Sequence, residues 1–379
     1  MSETIYRLTS ARNGKLLSFL LGASSSFLIL VMFNSMTSST HTYLPSRYHS
    51  RPSRPTTNAE AMFEAASNRT LGLDSIFFLN LPHRHDRFDA IAIQSHIADI
   101  QITHLPAVDG STINDQGMPP LEKGDMLASE KGCWRAHANV WRRMLENKIP
   151  AVLVLESDAG FDANLRPIMG RLNRAFRELL RKDNPGGAFD DANTHDPWLS
   201  RSGAWDYLSV GHCHDSRPQD GSYVVYTDPD SSSKGFDVDD IEPSLPREHK
   251  RVVYRAKTAI CTAGYLVSLS GAAKLLVRTS MNLDGPVDTI ISQMTEAGHL
   301  KTYSQRQMIT PPWSYIQGVG KGNSNSDIHD GDKVEHATAE GWERLRNEKT
   351  AFEVQARYSM AQLNDFALGR AWYHVFGEE

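Results

Sequence analysis

At 379 residues, the chain has room for one large α/β domain or two smaller ones, with residues left over for targeting segments. Its composition, 40% hydrophobic and 22% charged, is that of a globular protein and argues against a disordered, collagenous or multi-span membrane chain. Lys and Arg total 40 against 45 Asp and Glu, a formal net charge of −5. Nucleic acid is therefore not an expected partner, because phosphate binding usually needs a clustered basic surface.

An uncharged run near the N-terminus predicts a membrane anchor. Residues 16–33 read LLSFLLGASSSFLILVMF and are long enough to cross a bilayer as one transmembrane helix. Three basic residues lie in the segment 1–15, and no Lys or Arg follows the run until Arg47. The positive-inside rule then predicts a cytosolic tail and a lumenal remainder, which is single-pass type II topology. A cleaved signal peptide is the competing interpretation.

The next stretch, residues 34–73, is rich in Ser, Thr, Pro, His and Arg and has few side chains able to bury surface. This composition predicts a disordered, solvated stem. Within it, Asn68-Arg69-Thr70 is an N-glycosylation acceptor if the stem lies in the lumen, although such tripeptides are common by chance.

Alternating strand and helix patterns predict an α/β catalytic domain over residues 74–330. An apolar run at 75–81 is typical of a strand covered on both faces. A helical pattern and a second strand that stops at residue 109 follow, which indicates a parallel crossover. An amphipathic helix at 130–147 then leads into another buried strand at 151–155. Together these elements predict a mostly parallel central sheet.

Two carboxylates follow that last strand, in the sequence Glu156-Ser157-Asp158. Extended backbone would project alternate residues to the same side, about 6.5 Å apart along the chain. Open α/β sheets bind ligands at such strand ends, and two hard oxygen donors suit Mg²⁺ or Mn²⁺. A polar turn after the strand is the alternative, because Asp is a common turn residue.

The later part of the chain is less regular. Acidic, loop-like stretches within residues 182–250 predict an insertion, either a surface excursion or a carrier of acceptor specificity. Order resumes at residues 261–276, whose sequence predicts a strand, a turn and a helix. Beyond Pro312 a glycine-rich loop matches no phosphate-loop pattern. Residues 331–379 predict a helical extension, with one amphipathic helix that contains Trp342 and Met360.

Histidines and cysteines give no clear metal site. Residues 212–215, His-Cys-His-Asp, are adjacent, whereas structural zinc sites usually draw on two separated pairs, so a zinc site there is disfavoured. In an oxidising lumen, Cys133, Cys213 and Cys261 allow one disulfide and one free thiol, and the sequence does not say which two pair.

Seven segments occur in a fixed order over most of residues 76–288. They read IFFLNLPHRHDRF, AVDG, GCWRAHANVW, AVLVLESDAGF, WDYLSVG, GYLVSLSGAAKLL and PVD. In that order they resemble the signature blocks of glycosyltransferase family 25, which includes bacterial lipooligosaccharide galactosyltransferases and animal collagen galactosyltransferases. The resemblance implies a GT-A-like nucleotide-sugar-binding fold, inversion at the anomeric carbon, a UDP-sugar donor and, often, Mn²⁺.

Two positions depart from the family pattern. The family usually has Glu-Asp-Asp where this chain has Glu156-Ser157-Asp158, so the alternate carboxylates survive but any role of the middle one is lost. The Ser-His pair usual in the third block appears here as Ala136-His137. The serine keeps open a second interpretation, a catalytically inactive relative that binds nucleotide-sugar or glycan.

The chemistry of sugar transfer assigns roles to three carboxylates. Negative charge develops on the leaving diphosphate, so a divalent cation that bridges carboxylates and phosphates lowers the barrier. We therefore assign Glu156 and Asp158 to a site for Mn²⁺ or Mg²⁺. Inversion also needs a base that takes the proton of the acceptor hydroxyl. The resemblance makes Asp288 the candidate base, and a helix-capping role for Asp288 is equally compatible with the sequence.

The resemblance also places five residues around the donor: Asn80, Arg87, Asp109, His137 and Asp206. Asn80 would line the nucleotide pocket, and Arg87 would pair with the diphosphate or be an exposed residue in a first helical turn. His137 would be a donor-site residue or a hydrogen-bonded core histidine. Asp109 would hold a loop over the nucleotide or make a turn. Asp206 would support the site from a strand start or cap that element.

The sequence therefore predicts a membrane-anchored, lumenal glycosyltransferase of the Golgi or endoplasmic reticulum. It would transfer a hexose, with galactose as the family-level expectation, from a UDP-sugar to a glycan or glycoprotein acceptor. A metal-dependent phosphohydrolase that uses the same carboxylates is a third interpretation.

Overall fold

The computed structural model describes five ranges of the chain, which are residues 57–231, 248–319, 327–328, 336–354 and 363–377. The predicted cytosolic tail, the predicted anchor at residues 16–33 and the stem up to residue 56 lie outside these ranges. Within the described ranges, every helix is too short or too polar to cross a bilayer.

Eight strands form the central sheet. In spatial order they are β2 (Thr103–Pro106), β1 (Ser75–Asn80), β4 (Ala151–Glu156), β10 (Gly264–Ser268), β5 (Tyr207–Gly211), β12 (Thr302–Arg306), β8 (Lys250–Arg255) and β7 (Tyr223–Thr227). Only β10 and β8 run against the other six strands. The sheet is therefore mixed and mostly parallel, in agreement with the α/β prediction.

Short strands and helices complete the described structure. The remaining strands form three pairs, which are β3 (Leu121–Glu122) with β11 (Asn282–Leu283), β6 (His214–Ser216) with β9 (Thr258–Ile260), and β13 (Trp313–Tyr315) with β14 (Phe352–Val354). The α-helices are α1 (Asn58–Ala66), α2 (His85–Ala98), α3 (Ala128–Asn147), α4 (Leu165–Asp183), α5 (Leu269–Met281), α6 (Val287–Glu296), α7 (Ala339–Glu348) and α8 (Ala371–Phe376).

Helices cover the central sheet on both faces, which is why β1 and β4 are continuous apolar runs. In β4, Leu153 and Leu155 point into a core shared with α2 and α4. The alternate residues Val152 and Val154 point into a second core, shared with α3, α5 and α6. The segment predicted as strand, turn and helix forms β10 and α5, and the side chain of Ser268 caps the helix by accepting from Gly271 N.

Part of the predicted stem is folded, so the prediction of a disordered stem up to residue 73 is wrong from residue 57 onward. Helix α1 begins with a capping box in which Thr57 and Glu60 bond each other's backbone. Leu71 and Leu73 are buried in the core shared with α2 and α4. The apolar residues between positions 62 and 73 are few, but Met62 and Ala66 of α1 are buried as well, which overall composition does not reveal.

Two further predictions need correction. The predicted insertion at 182–250 includes two central-sheet strands, β5 and β7. In β7, Val224 packs into the core shared with α2 and α4, and Tyr223 and Val225 pack against a second buried cluster on β8. The predicted helix through Trp342 and Met360 ends at Glu348 in α7, and the chain then forms β14, which pairs with β13. Lys349 has a left-handed backbone conformation, φ 51°, which terminates the helix.

Candidate active site

Three strands bring polar residues to one edge of the central sheet, which we call the carboxyl edge because β1 and β4 end there. Strand β1 ends at Asn80, and strand β4 ends at Glu156. The antiparallel strand β10 begins at the same edge, so Thr262 and Ala263 lie beside the end of β4, and Glu156 N donates to Ala263 O at 3.0 Å.

The chain after β12 crosses this edge and closes one side of it. Thr310 lies against two strand glycines: a Cβ at Gly264 would be 2.0 Å from Thr310 Oγ1, and one at Gly211 would be 2.2 Å from Thr310 O. Only glycine allows this approach at these two positions. Farther along, Trp313 N donates to Asp158 O at 2.8 Å and so fixes the turn that follows β4.

A chain of hydrogen bonds holds the carboxylate of Glu156. Trp141 Nε1 donates to the Tyr265 hydroxyl at 3.3 Å, and that hydroxyl lies 2.8 Å from His137 Nδ1. The other ring nitrogen of His137, Nε2, lies 3.1 Å from Glu156 Oε1. A neutral His137 with its proton on Nε2 satisfies every contact, because it accepts from Tyr265 and donates to the carboxylate. His137 is thus a buried, hydrogen-bonded histidine that also contacts the candidate site.

Glu156 is ionised in this arrangement. Burial opposes its ionisation, but the hydrogen bonds from His137 and from the Thr262 hydroxyl outweigh burial and lower its pKa. Both donors reach Oε1, at 3.1 Å and 2.5 Å respectively. Among the described residues, nothing donates a hydrogen bond to Oε2, so this oxygen is open to a ligand.

Asp158 lies two residues beyond Glu156, in a turn rather than in extended backbone. The turn is closed by Ala159 N, which donates to Glu156 O at 3.1 Å. Burial raises the pKa of Asp158 to about 6; the positive charge of Arg87 opposes this rise, and the negative charge of Glu156 adds to it. The charges of the two carboxylates therefore interact. A turn sets their arrangement, and not the extended backbone that the sequence predicted.

Asp288 reaches the same region from the first turn of α6. Its Oδ2 accepts from Cys261 N at 3.2 Å and its Oδ1 from Thr289 N at 2.8 Å. Burial raises the pKa of the nearby Cys133 thiol, and the charges of Glu156, Asp288 and Asp158 raise it further. The charges of all three carboxylates that the sequence predicted to bind metal or act as the base therefore act on this one thiol.

Two donor sets at this edge could hold a cation. Cys133 and His137 lie four residues apart on α3, and their ligand atoms and one from Glu156 all fall within 4.8 Å of one another. That set would suit a softer ion such as Zn²⁺, but the His137 nitrogens already bond Tyr265 and Glu156. The free oxygens of Glu156 and Asp158 are hard donors that suit Mn²⁺ or Mg²⁺ without breaking these bonds.

Two arginines from the start of α2 flank the carboxylates. Arg87 is 4% exposed, and its Nη1 contacts the Ser157 hydroxyl and lies 2.8 Å from Asp327 Oδ2. Arg84 also contacts Asp327 and makes a two-pronged bond to Asp86, with both distances 2.9 Å. Arg87 is therefore buried rather than exposed, and the residue in place of the family's middle carboxylate contacts its guanidinium.

Asn80 and Asp109 lie toward the outer strands of the same edge. Asn80 is fully buried, its Nδ2 donates to Arg84 O at 3.0 Å, and its Oδ1 has no partner among the described residues. Asp109 is exposed in the loop after β2, where it accepts from Ser111 N at 2.9 Å and from the Ser111 hydroxyl at 2.7 Å. These bonds lower the pKa of Asp109 and make it a turn residue at the rim of the site.

The structure does not bring Asp206 to this edge. Strand β5 runs parallel to β4, so the residue before β5 lies at the opposite edge, beside the end of β10. Asp206 is 1% exposed there and accepts from the Ser270 hydroxyl at 2.6 Å and from Lys301 N at 2.8 Å. It also pairs with Lys274. Its assignment to the donor site is therefore unsupported, and its contacts are those of a structural residue.

Several residues of the edge were not found by sequence reasoning. Cys133 carried a usable signal, because residues four apart on a helix share a face and His137 was already a candidate. Thr262, Tyr265 and Asp327 carried none, since their contacts depend on elements that are distant in the chain.

The structure also settles the cysteine pairing that the sequence left open. Cys213 and Cys261 form a disulfide, and Cys133 is free. The bridge joins the residue before β6 to the residue after β9, and the backbone N–H of Cys261 donates to Asp288. It also removes Cys213 from the metal ligands considered for residues 212–215.

Comparison with known proteins adds independent information. Residues 73–197 match the family model described as glycosyltransferase family 25 (LPS biosynthesis protein). A glycosyltransferase 25 family member from Drosophila pseudoobscura pseudoobscura is 24% identical over 311 residues, covering 76% of this chain and 42% of that protein. Procollagen galactosyltransferase 1 of Danio rerio is 23% identical over 321 residues, covering 78% and 45%. Procollagen galactosyltransferase 2 of Homo sapiens is 23% identical over 302 residues, covering 72% and 40%. The chain thus spans less than half the length of these relatives.

Proposed function

We propose that the chain, which is similar to glycosyltransferase family 25 over residues 73–197, transfers a hexose, galactose in the first instance, from a UDP-sugar to a glycan or glycoprotein. The names of two relatives, both procollagen galactosyltransferases, support the choice of sugar and of a protein-linked acceptor. The observation that carries the proposal is the grouping of carboxylates at the carboxyl edge: Glu156 accepts from Thr262, and Asp288 accepts from the adjacent residue Cys261. Asp158 lies two residues beyond Glu156, and Arg87 contacts Ser157 between them. A GT-A-like fold is part of the proposal, and the mixed sheet is compatible with it.

Glu156 and Asp158 would hold a divalent cation, Mn²⁺ or Mg²⁺. The residues fit such an ion because Glu156 Oε2 and the Asp158 carboxylate have no side-chain donor among the described residues, and their negative charges interact in a partly buried site. When bound, the ion would neutralise charge that develops on the leaving diphosphate. His137 and Thr262 both donate to Glu156 Oε1, which fixes the carboxylate and leaves Oε2 available to the cation.

Arg87 and Arg84 would bind the diphosphate of the donor. A guanidinium offers paired N–H donors that match phosphate oxygens, and Arg87 is already held beside the carboxylates through Ser157. Both arginines now contact Asp327, so a diphosphate would compete with that carboxylate. Asn80 would line the nucleotide side with its free Oδ1.

Asp288 would act as the base. The acceptor hydroxyl oxygen attacks the anomeric carbon on the face opposite the diphosphate, the bond from that carbon to the phosphate oxygen breaks, and Asp288 takes the hydroxyl proton. Backbone N–H groups of Cys261 and Thr289 orient its carboxylate. Inversion follows from a single displacement of this kind.

Localisation is also a proposal. The predicted anchor at residues 16–33 would hold the chain in a Golgi or endoplasmic reticulum membrane, with the folded part in the lumen. The Cys213–Cys261 disulfide supports an oxidising compartment, because such bonds are rare in the cytosol.

The test is a transfer assay with the full chain purified in detergent. UDP-galactose, other UDP-sugars and GDP-mannose are each supplied with collagen-derived or glycan acceptors, with Mn²⁺ or with a chelator. We expect metal-dependent transfer from a UDP-sugar. Donor binding without transfer to any acceptor would favour an inactive relative, and acceptor-independent phosphate release would favour a phosphohydrolase.

A further inference from the structure

The sequence contains one Asn-X-Ser/Thr tripeptide, Asn68-Arg69-Thr70, and the structure describes it. It lies in the turn between α1 and β1 and is not used by the candidate active site. Asn68 is exposed, whereas Leu71, three residues on, is fully buried. The asparagine is thus at the surface of a firmly packed segment.

The two ends of the Asn68 amide have different environments. Oδ1 accepts three hydrogen bonds, from Thr70 N at 2.9 Å, from the Thr70 hydroxyl at 3.1 Å and from Gly72 N at 3.0 Å. Nδ2 has no acceptor among the described residues. A substituent on Nδ2 would therefore leave the turn intact, because all the bonds that organise it use the oxygen.

The turn lies at the end of the sheet opposite the carboxyl edge. Just after it, Asp74 N donates to Ala151 O, and Ala151 is the first residue of β4, whereas Glu156 is the last. A six-residue strand places these two ends about 16 Å apart. A bulky group on Asn68 would project from the far end and leave the candidate site open.

The disulfide supplies an independent indication of compartment. The Cys213–Cys261 bridge belongs to an oxidising environment, and in the secretory pathway that is where asparagine glycosylation occurs. Exposure, a free amide nitrogen and an oxidising compartment therefore coincide at the only such tripeptide of the chain.

We propose that Asn68 carries an N-linked glycan. The donor class is an oligosaccharide pyrophosphoryl lipid: a bond forms between Asn68 Nδ2 and the first anomeric carbon, the bond from that carbon to the phosphate oxygen breaks, and Nδ2 loses one proton. The cell's oligosaccharide-transferring enzyme catalyses this step as the chain enters the lumen, and the fold then accommodates the glycan on the outward side of the turn.

The test uses the full chain expressed in animal cells and treated with peptide N-glycosidase. The wild-type chain should lose the mass of one glycan, and peptide mass spectrometry should find Asp at position 68 after treatment. N68D keeps an oxygen acceptor for the turn but cannot be glycosylated, and T70A removes the tripeptide; both should migrate as the deglycosylated wild type. T70S preserves the tripeptide and should retain the shift.

A wild-type chain with no shift, or a shift that persists in N68D, would overturn the proposal. Melting temperatures of N68D and enzymatically deglycosylated wild type should match, which excludes misfolding as the cause of a missing glycan. N68D should also bind UDP-sugar as the wild type does, because Asn68 lies at the far end of the sheet.

Discussion

Asp158 and Asp206 are two carboxylates at opposite edges of one sheet, the first half-buried and the second fully buried, and their surroundings differ in kind. Asp206 is enclosed by Ser270, Lys274 and the backbone of Lys301, so its hydrogen-bonding capacity is largely used. Asp158 has a raised pKa and no side-chain donor to its carboxylate among the described residues. A half-buried carboxylate without a side-chain donor is available to a ligand, which would supply the missing contacts. The comparison separates a carboxylate that stabilises the fold from one that is available for binding.

The largest expected effect is on turnover when the two candidate metal-binding carboxylates, Asp158 and Glu156, are neutralised. D158N and E156Q should each lower metal-dependent sugar transfer by about 10²- to 10³-fold, because an electrostatic contact to the reacting phosphates is lost. The measurement is the initial rate at saturating acceptor, with Mn²⁺ varied. Melting temperature should stay near that of the wild type, since burial disfavours the charged form of Asp158. A D158N enzyme with wild-type metal dependence would remove Asp158 from the site.

At the edge opposite the carboxyl edge, we expect a substitution to lower stability and to leave turnover unchanged. D206A should lower the free energy of unfolding by about 3 kcal/mol, because Lys301 N and the Ser270 hydroxyl lose their buried acceptor and Lys274 loses its partner. Urea denaturation measures this change. Turnover per folded molecule should be unchanged, and a selective loss of turnover with normal stability would reinstate Asp206 as a site residue.

A third variant tests the support behind Glu156. H137A removes one of the two donors to Glu156 Oε1 and should lower turnover by about 10- to 100-fold, as is common for groups that orient a metal ligand. H137Q can still offer an N–H and should recover part of this loss. The apparent affinity for Mn²⁺ should weaken in parallel, a change that a purely structural defect would not produce. Equal behaviour of the two variants would contradict a positioning role.

The smallest effect concerns the acid that now pairs with the arginines. D327N should tighten donor binding about 2- to 10-fold, because the diphosphate no longer competes with a carboxylate for Arg84 and Arg87. Calorimetric titration with UDP measures it. D191N removes the same charge from an acid that pairs with Arg177 and Arg181 on α4, and it should leave the affinity unchanged. Equal tightening in both variants would point to net charge rather than to competition at the site.

The central sheet was largely predictable because buried parallel strands are continuous apolar runs. The run at 75–81 and the run ending before Glu156 identified β1 and β4 and placed the carboxylates at an edge. Strand direction also explains why Asp206 does not lie at the carboxyl edge. Strand β5 runs parallel to β4, so a residue that precedes β5 lies at the opposite edge.

What could not be predicted depends on contacts between distant parts of the chain. The hydrogen bond from Tyr265 to His137 joins residues 128 positions apart, and the contact of Asp327 with Arg84 joins residues 243 apart. The spacing of residues along the chain does not indicate either of these two contacts. Helix α1 was missed for a related reason, since its apolar residues act through distant contacts, such as that of the Phe63 ring with Gly170 of α4.

Anomalous diffraction from crystals grown with Mn²⁺ and UDP would test the central claim most directly. The account predicts a manganese peak at the carboxyl edge, about 2 Å from oxygens of Glu156 and Asp158, with the diphosphate on its outer side toward Arg87. Bound UDP with manganese remote from both carboxylates would contradict it.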